Sequence, residues 1–519
     1  MLIPMTATFP SASMNLARAA EYTGALALQG VSGILPDGRA RAAVRRAFAR
    51  NLVSMRGVPM KLSQALSMSG SAEEGRLHRE ALAALPPLSG SEMLMHLEAV
   101  APGLLESIAT FGAEGIAASL GQVHHALMKD GRDCAVKIRY PGISSEVGLD
   151  VKTMNLLLGM FGGLGEGFPI GAYRELFAAE LAGELDYRAE ARKQAMLRDG
   201  CADLGGIVIP RPYPEESGDG HILMDWESSL SPVRFAAGAG AALKRQALDH
   251  LCAFTLRTLF GIGAVHADPN PGNFGFRPSP AGLKAVVYDF GSVVELPAAM
   301  PVLLLDLLEA VLQGTDPYPF LLALGFAAEP LEPIRTRLRA FCDLIFAPFL
   351  SGHPLAPKDW NRKERAALIL GAQRWNFMIA APVAIFPLMR AMHGLVYYAT
   401  LFDAPLHMRP AVGALLAAKR PAAAASAPAP QADDPGFPGA ARSLRVEVRR
   451  NGIATVSLTF PRNAVERLPD LLDAKTLGRI RARGIRLEGI AEDARRGGFR
   501  PMDLFTCEYD GKSIKVWLE

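Results

Sequence analysis

The stretch that most constrains this 519-residue chain is Val265-His266-Ala267-Asp268-Pro269-Asn270-Pro271-Gly272-Asn273-Phe274, with Tyr288-Asp289-Phe290-Gly291 following a short apolar run. Asp268 and Asn273 stand five positions apart on a loop stiffened by prolines, so both side chains are held near one point with little backbone freedom. Asp289 adds a second carboxylate 21 residues after Asp268. Such a set combines one carboxylate that accepts a hydroxyl proton or orients a water with an Asp and an Asn that share a small hard cation, which is the equipment of phosphoryl transfer. Each motif alone is common, so the reading depends on what precedes them.

Upstream, the partners of a kinase-type loop appear in kinase order. A turn at Lys129-Asp130-Gly131-Arg132 separates two apolar strands, Gln122 to Met128 and Asp133 to Ile138, and the second carries Lys137 in Ala135-Val136-Lys137. Ahead of them lies the small-residue turn Ala117-Ala118-Ser119-Leu120-Gly121-Gln122. Small residues let backbone N–H groups approach phosphates, so Ala117, Ala118, Ser119 and Gln122 are candidate nucleotide contacts and Lys137 the candidate phosphate lysine. A charged helix predicted over 172–198 offers Glu184, Asp186 and Glu190 at near-helical spacing; spacing alone leaves open which of Glu184 and Glu190 faces Lys137. His221 to Glu227 reads as a strand entering a hinge, where Met224 and Trp226 would meet the adenine. An apolar helix over 238–260, ending at Gly261, delivers the chain to the loop. In these roles Asp268 and Lys137, with Glu184 or Glu190 as the lysine's partner, are the catalytic candidates, with Asn273 and Asp289 as ligands of Mg²⁺ and ATP as the nucleotide. His266 braces the loop, since no second His or Cys lies at ligand spacing.

Composition excludes more than it identifies. With 55 basic and 52 acidic residues the net charge is +3, which argues against nucleic acid as a partner. The five cysteines are scattered and include no C-x-x-C pair, so a reducing, cytoplasmic setting is expected. Proline and charge interrupt the longest apolar stretch, 377–402, and no transmembrane segment is predicted. Residues 13 to 110 show helical periodicity. Within them, Lys61 and Gln64 read on their own as a solvated helix face, and Arg41, Arg45, Arg46 and Arg50 as a solvated face able to meet a lipid surface.

Taken together these stretches resemble the UbiB family of atypical protein-kinase-like proteins, associated with coenzyme Q and isoprenoid lipids. Lys61-Leu62-Ser63-Gln64 is similar to the family's K-x-G-Q signature, Ala117 to His124 to its alanine-rich loop, and Ala135 to Gly142 to its nucleotide-lysine strand. Glu184 to Ala191 resembles its E-x-D helix, and His266 to Asn273 with Asp289-Phe290-Gly291 its catalytic and metal loops. The resemblance, running from about residue 13 to about residue 410, makes Glu190 the partner of Lys137. It also makes Lys61, Gln64, Glu184 and Asp186 a regulatory cover over the active site, which reverses the solvated reading of Lys61 and implies ATPase-like or small-molecule activity, with protein phosphorylation in trans disfavoured. Ser63 departs from the signature glycine and is expected to restrict the backbone there. Gly115, Ile116, Lys193 and Asn270 depart as well, none removing a charge that phosphoryl transfer needs.

The expected architecture is α+β: a bilobal protein-kinase-like fold with a helical N-terminal extension (1–110), an N-lobe with inserted charged helices (111–228) and a C-lobe (229–418). An Ala/Pro-rich linker (419–440) then leads to a small C-terminal α+β module (441–519), built from hairpins around Asn451-Gly452 and Asp510-Gly511 with two short helices. The module has no catalytic constellation and is expected to be an interaction or regulatory domain whose protein partner is unknown. The functional expectation is a MgATP-dependent kinase-like ATPase supporting quinone or isoprenoid lipid metabolism, with peripheral membrane contact; the alternatives are a protein or small-molecule kinase and a nucleotide-binding scaffold with negligible turnover.

Overall fold

The computed structural model describes residues 38–69, 72–143, 183–280, 282–373, 375–423, 443–450, 453–461, 487–509 and 512–519, together with Leu28, Ala441, Val465 and Arg483. The chain divides into two compact units, Met1–Lys419 and Arg420–Glu519.

In the first unit, helices α1 (Arg39–Ser54), α2 (Gly57–Ser69) and α3 (Ala72–Ala83) pack on one another through Ala49, Val53, Leu77 and Ala81. Ser63 lies inside α2 with no positive φ, so the expected backbone restriction at this departure from the signature does not arise. Its buried hydroxyl pairs with His78 Nδ1 of α3 at 2.7 Å, using a polar side chain to join two helices. Burial, helped by the charge of Arg45, lowers the His78 pKa to about 4. Between pH 6.5 and 4 the unfolded chain therefore binds a proton that the folded chain refuses, and stability should fall as the pH falls through that window, by up to ~3 kcal/mol. Urea unfolding at pH 7 and pH 4.5 would measure it; a His78→Gln variant with an undiminished acid loss would refute this origin.

The N-lobe is a four-stranded antiparallel sheet of order β1-β2-β3-β5: β1 (Ile108–Ala117), β2 (Gly121–Met128), β3 (Asp133–Arg139) and β5 (His221–Asp225). Alternation along β2 and β3 buries Ala126, Met128, Val136 and Ile138 against α4 (Gly90–Val100) and α5 (Pro102–Ser107). A Ser89/Glu92 capping box starts α4. The predicted helix over 172–198 is corrected: 172–182 lie outside the described residues, and the chain breaks at Asp186, whose carboxylate accepts from Ala189 N at 2.9 Å and caps α6 (Tyr187–Gly200). An Asp that bonds its own backbone favours a cap over a helix interior, so Glu184 lies on a separate turn.

Strand β4 (Ile207–Val208) precedes the hinge, and the C-lobe begins with α7 (Pro232–Gly238) and α8 (Ala241–Leu256). Helical structure does not stop at Gly261: a π-helical turn, Arg257–Ile262, carries the chain to Gly263, which ends it at φ 78°. Strands β6 (Ala264–His266) and β9 (Val293–Glu295) pair antiparallel, while β7 (Phe274–Ser279) and β8 (Gly282–Val287) form a hairpin, so the Asp268–Asn273 loop and the Asp-Phe-Gly segment are each held between paired strands. Helices α9 (Met300–Gln313), α10 (Phe386–Phe402) and α11 (Arg409–Ala423), with shorter helices between, complete the lobe. Because α11 runs to Ala423, the first residues of the expected linker are helical; 424–440 lie outside the described residues. No helix among the described residues is long and apolar enough to cross a membrane.

The second unit is a four-stranded antiparallel sheet of order β11-β10-β13-β12, made from β10 (Ser443–Arg450), β11 (Ile453–Pro461), β12 (Met502–Tyr509) and β13 (Lys512–Leu518). Helix α12 (Leu487–Arg496) contributes Leu487 and Ala494 to a core with Leu444, Phe505, Val516 and Leu518. Both predicted hairpin turns, and the stretch 466–482 between α12 and β11, lie outside the described residues.

Candidate active site

The site lies between the N-lobe sheet, α6 and the two C-lobe loops. Lys137 is central on β3, its Nζ 2.6 Å from Glu190 Oε1 of α6 and 2.8 Å from Asp289 Oδ2, with 6% of its surface exposed. Burial alone would lower the lysine pKa; the Asp289 and Glu190 charges outweigh it and the net direction is up. Burial also works against the Asp289 carboxylate, but Lys137 and, at longer range, Lys61 hold its pKa down to about 2. In Glu190 burial prevails over the neighbouring lysine and the pKa is raised. Lys137 thus takes Glu190, and the alternative partner Glu184 takes Lys61.

Around Asp289 the backbone is tightly determined. Gly291 N donates to Oδ1 at 3.1 Å, and His266 Nε2 donates to the Asp289 carbonyl at 2.6 Å, which is the bracing role assigned to this histidine. Phe290 is fully buried and its N–H donates to Glu190 Oε1 at 3.2 Å. In the catalytic loop Asn273 Nδ2 donates to Asp268 Oδ2 at 2.9 Å and to the Asp268 carbonyl at 3.3 Å. With the amide nitrogen so engaged, the amide oxygen is the atom of Asn273 left to coordinate a cation.

Above Asp289, Lys61 of α2 forms a buried ion pair with Glu184, and Ser292, the residue after Asp-Phe-Gly, donates to the same carboxylate while standing 3.4 Å from Lys61 Nζ. Sequence reading missed Ser292; a hydroxyl one residue beyond the glycine was the available signal. Gln64 is half-buried one turn beyond Lys61. Asp186 is exposed and occupied as a cap, so its visible role is to start α6.

The candidate nucleotide contacts divide. Ala117 ends β1, and Ala118 and Ser119 form the turn into β2, where Ala118 N donates to Gly121 O at 2.8 Å and Ser119 O accepts from Gly57 N of α2 at 3.3 Å. Gln122 is a correction: its fully buried side chain bonds both backbone groups of Leu88 at 2.9 Å and touches His124 Nε2, so it fastens α4's entry to the sheet. Met224 is buried, its sulfur accepting from Gln194 at 3.4 Å. The Trp226 ring lies 4.8 Å from the His125 ring, and its backbone N–H donates to Asp133 O at 3.0 Å, so that N–H is not available to adenine.

Helix α10 supports the loop from below. Tyr398 Oη donates to the Pro269 carbonyl at 3.1 Å, and Gly394 packs so closely that a Cβ there would overlap the Pro269 ring. Gly394→Ala ordinarily gains ~1 kcal/mol of helix propensity, but overpacking against the ring costs roughly 1–3 kcal/mol. A lowered melting temperature together with slower turnover is expected; a higher melting temperature would show that helix and loop separate freely.

Residues 96–316 match the ABC1 atypical kinase-like domain. Residues 96–316 therefore carry a domain similar to that of the UbiB/COQ8 atypical kinases. The chain is 33% identical over 176 residues to the mitochondrial atypical kinase COQ8B of Rattus norvegicus, covering 34% of this chain and 33% of that protein. The mitochondrial atypical kinase coq-8 of Caenorhabditis elegans is 29% identical over 177 residues, 34% of this chain and 23% of that one. The chain thus matches about a third or less of these relatives' length. The solved Rv3197–erythromycin complex from Mycobacterium tuberculosis is similar in fold, with a TM-score of 0.51 at 23% identity over 70% of this chain and 92% of that one.

Proposed function

We propose that this protein binds MgATP and turns it over as a kinase-like ATPase acting on water, a lipid or another small molecule. The observation that carries this reading is the Lys137–Glu190–Asp289 network, in which the lysine we assign to phosphate is paired with the carboxylate we assign to the metal. Among the described residues no group of three His, Cys, Asp or Glu could hold a metal ion. That fits Mg²⁺, which is commonly held by one or two carboxylates plus substrate phosphates. Asp289 and the Asn273 amide oxygen are the residues that would hold it, and the ion would neutralise charge on the transferred phosphoryl group. Asp268, fixed by Asn273, would orient the attacking hydroxyl or water.

The buried Lys61–Glu184–Ser292 cluster supports a small acceptor over a protein hydroxyl, because it ties α2 to the residue that follows Asp-Phe-Gly and so crowds the metal-binding segment. The quinone and isoprenoid-lipid part of this reading, and peripheral contact with a membrane, rest on the family resemblance. Phosphate release from MgATP by purified full-length protein, with and without anionic liposomes or a phenolic quinone precursor, tests it. Stimulated release is expected; nucleotide binding with no turnover under any of these conditions would leave only a scaffold, and transfer to an added protein acceptor would make it a protein kinase.

A further inference from the structure

Tyr187 opens α6, one residue after its Asp186 cap, and is 1% exposed. Its hydroxyl is enclosed and has no hydrogen-bond partner. A phenylalanine would fill the same space without burying an unsatisfied polar group, which is a net cost to a folded protein. The hydroxyl also lies against the alanine-rich turn: a Cβ on Gly121, where that turn enters β2, would overlap Ile138 O and stand 2.5 Å from Oη. The Tyr187 ring centroid lies 5.2 Å from Lys137 Nζ. Glu190 Oε2, on the carboxylate that pairs with the lysine, is likewise buried without a partner. Two unsatisfied polar atoms therefore belong to side chains close to the lysine assigned to phosphate. Burial keeps the phenol protonated, so Oη is a donor.

We propose that Tyr187 is a phosphate ligand of the nucleotide site, its Oη donating to a phosphate oxygen of a nucleotide held by Lys137 and the Ala117–Gly121 turn. The assignment rests on the nucleotide reading above. It explains why a tyrosine stands where packing alone would favour phenylalanine.

Calorimetric titration of the full-length protein and its Tyr187→Phe variant with MgATP, and separately with adenosine, tests the assignment. The variant should unfold, without ligand, at the wild-type temperature or higher, bind MgATP roughly tenfold more weakly, and bind adenosine as the wild type does. Equal MgATP affinity in the two proteins overturns the proposal. So does a parallel loss of adenosine and MgATP affinity, or a lowered unfolding temperature, either of which marks a packing role. A wild-type protein that binds no MgATP overturns the underlying nucleotide reading, an outcome seen before any variant is made.

Discussion

Asp289→Asn is expected to lower Mg²⁺-dependent phosphate release by roughly 10³-fold, the scale on which losing one group aimed at developing charge is felt. The substitution is nearly isosteric, but it removes the anionic metal ligand and one of the two carboxylates on Lys137. Lys137 keeps Glu190, so the fold should survive and nucleotide binding in EDTA should change less than binding in Mg²⁺. The pH dependence carries a second signature. Because the folded pKa of Asp289 is depressed from 3.8 to about 2, the carboxylate adds stability above pH 3.8 that is lost as the pH falls towards 2. Asp289 therefore gives the turnover profile no acid limb near neutrality. Phosphate release, binding with and without metal, and circular dichroism would separate these effects; wild-type Mg²⁺-dependent turnover in the variant would remove Asp289 from the metal site.

The parts of this site legible in the sequence are those that local chain geometry fixes. Asp268 and Asn273 share one short loop, Lys137 lies on the second strand of a hairpin with a clear turn, and Asp-Phe-Gly follows an apolar strand, so a motif a few residues long reports where each side chain points. Glu190 became assignable only through family resemblance, because the sequence shows several acids at near-helical spacing and the Asp186 cap that separates Glu184 from α6 is a local backbone event. Gln122 misled for the opposite reason: it borders a phosphate-type turn in sequence, while the strand pleat sends its side chain to Leu88. The support from Gly394 and Tyr398 was out of reach, since α10 lies more than 100 residues beyond the loop it touches. Nor does a helical pattern disclose the π-turn at Arg257–Ile262, because six residues are too few to establish a period of their own.

Removing one member of the Lys61–Glu184 pair should be the most destabilising change at the site, and removing both should not. Their side chains are 8% and 7% exposed, so removing either one leaves the other's charge buried without its closest counter-ion. Lys61→Met is expected to cost ~3–5 kcal/mol, as is Glu184→Leu, although the Ser292 hydroxyl offsets part of the cost when Glu184 is the ion left behind. In the double variant both charges and their desolvation disappear together. Buried pairs replaced by apolar side chains of similar volume are often neutral or stabilising, so most of the loss should return. Urea unfolding of the four proteins forms the cycle, and equal, additive losses would show that the pair is not the unit that holds α2 over Asp289. The same double variant separates stability from access. If the cluster excludes protein acceptors chiefly by holding α2 in place, a refolded but uncharged cover should still exclude them, and transfer to an added acceptor should appear only where stability is lost. If the charges themselves set acceptor choice, transfer should appear in the stable double variant as well.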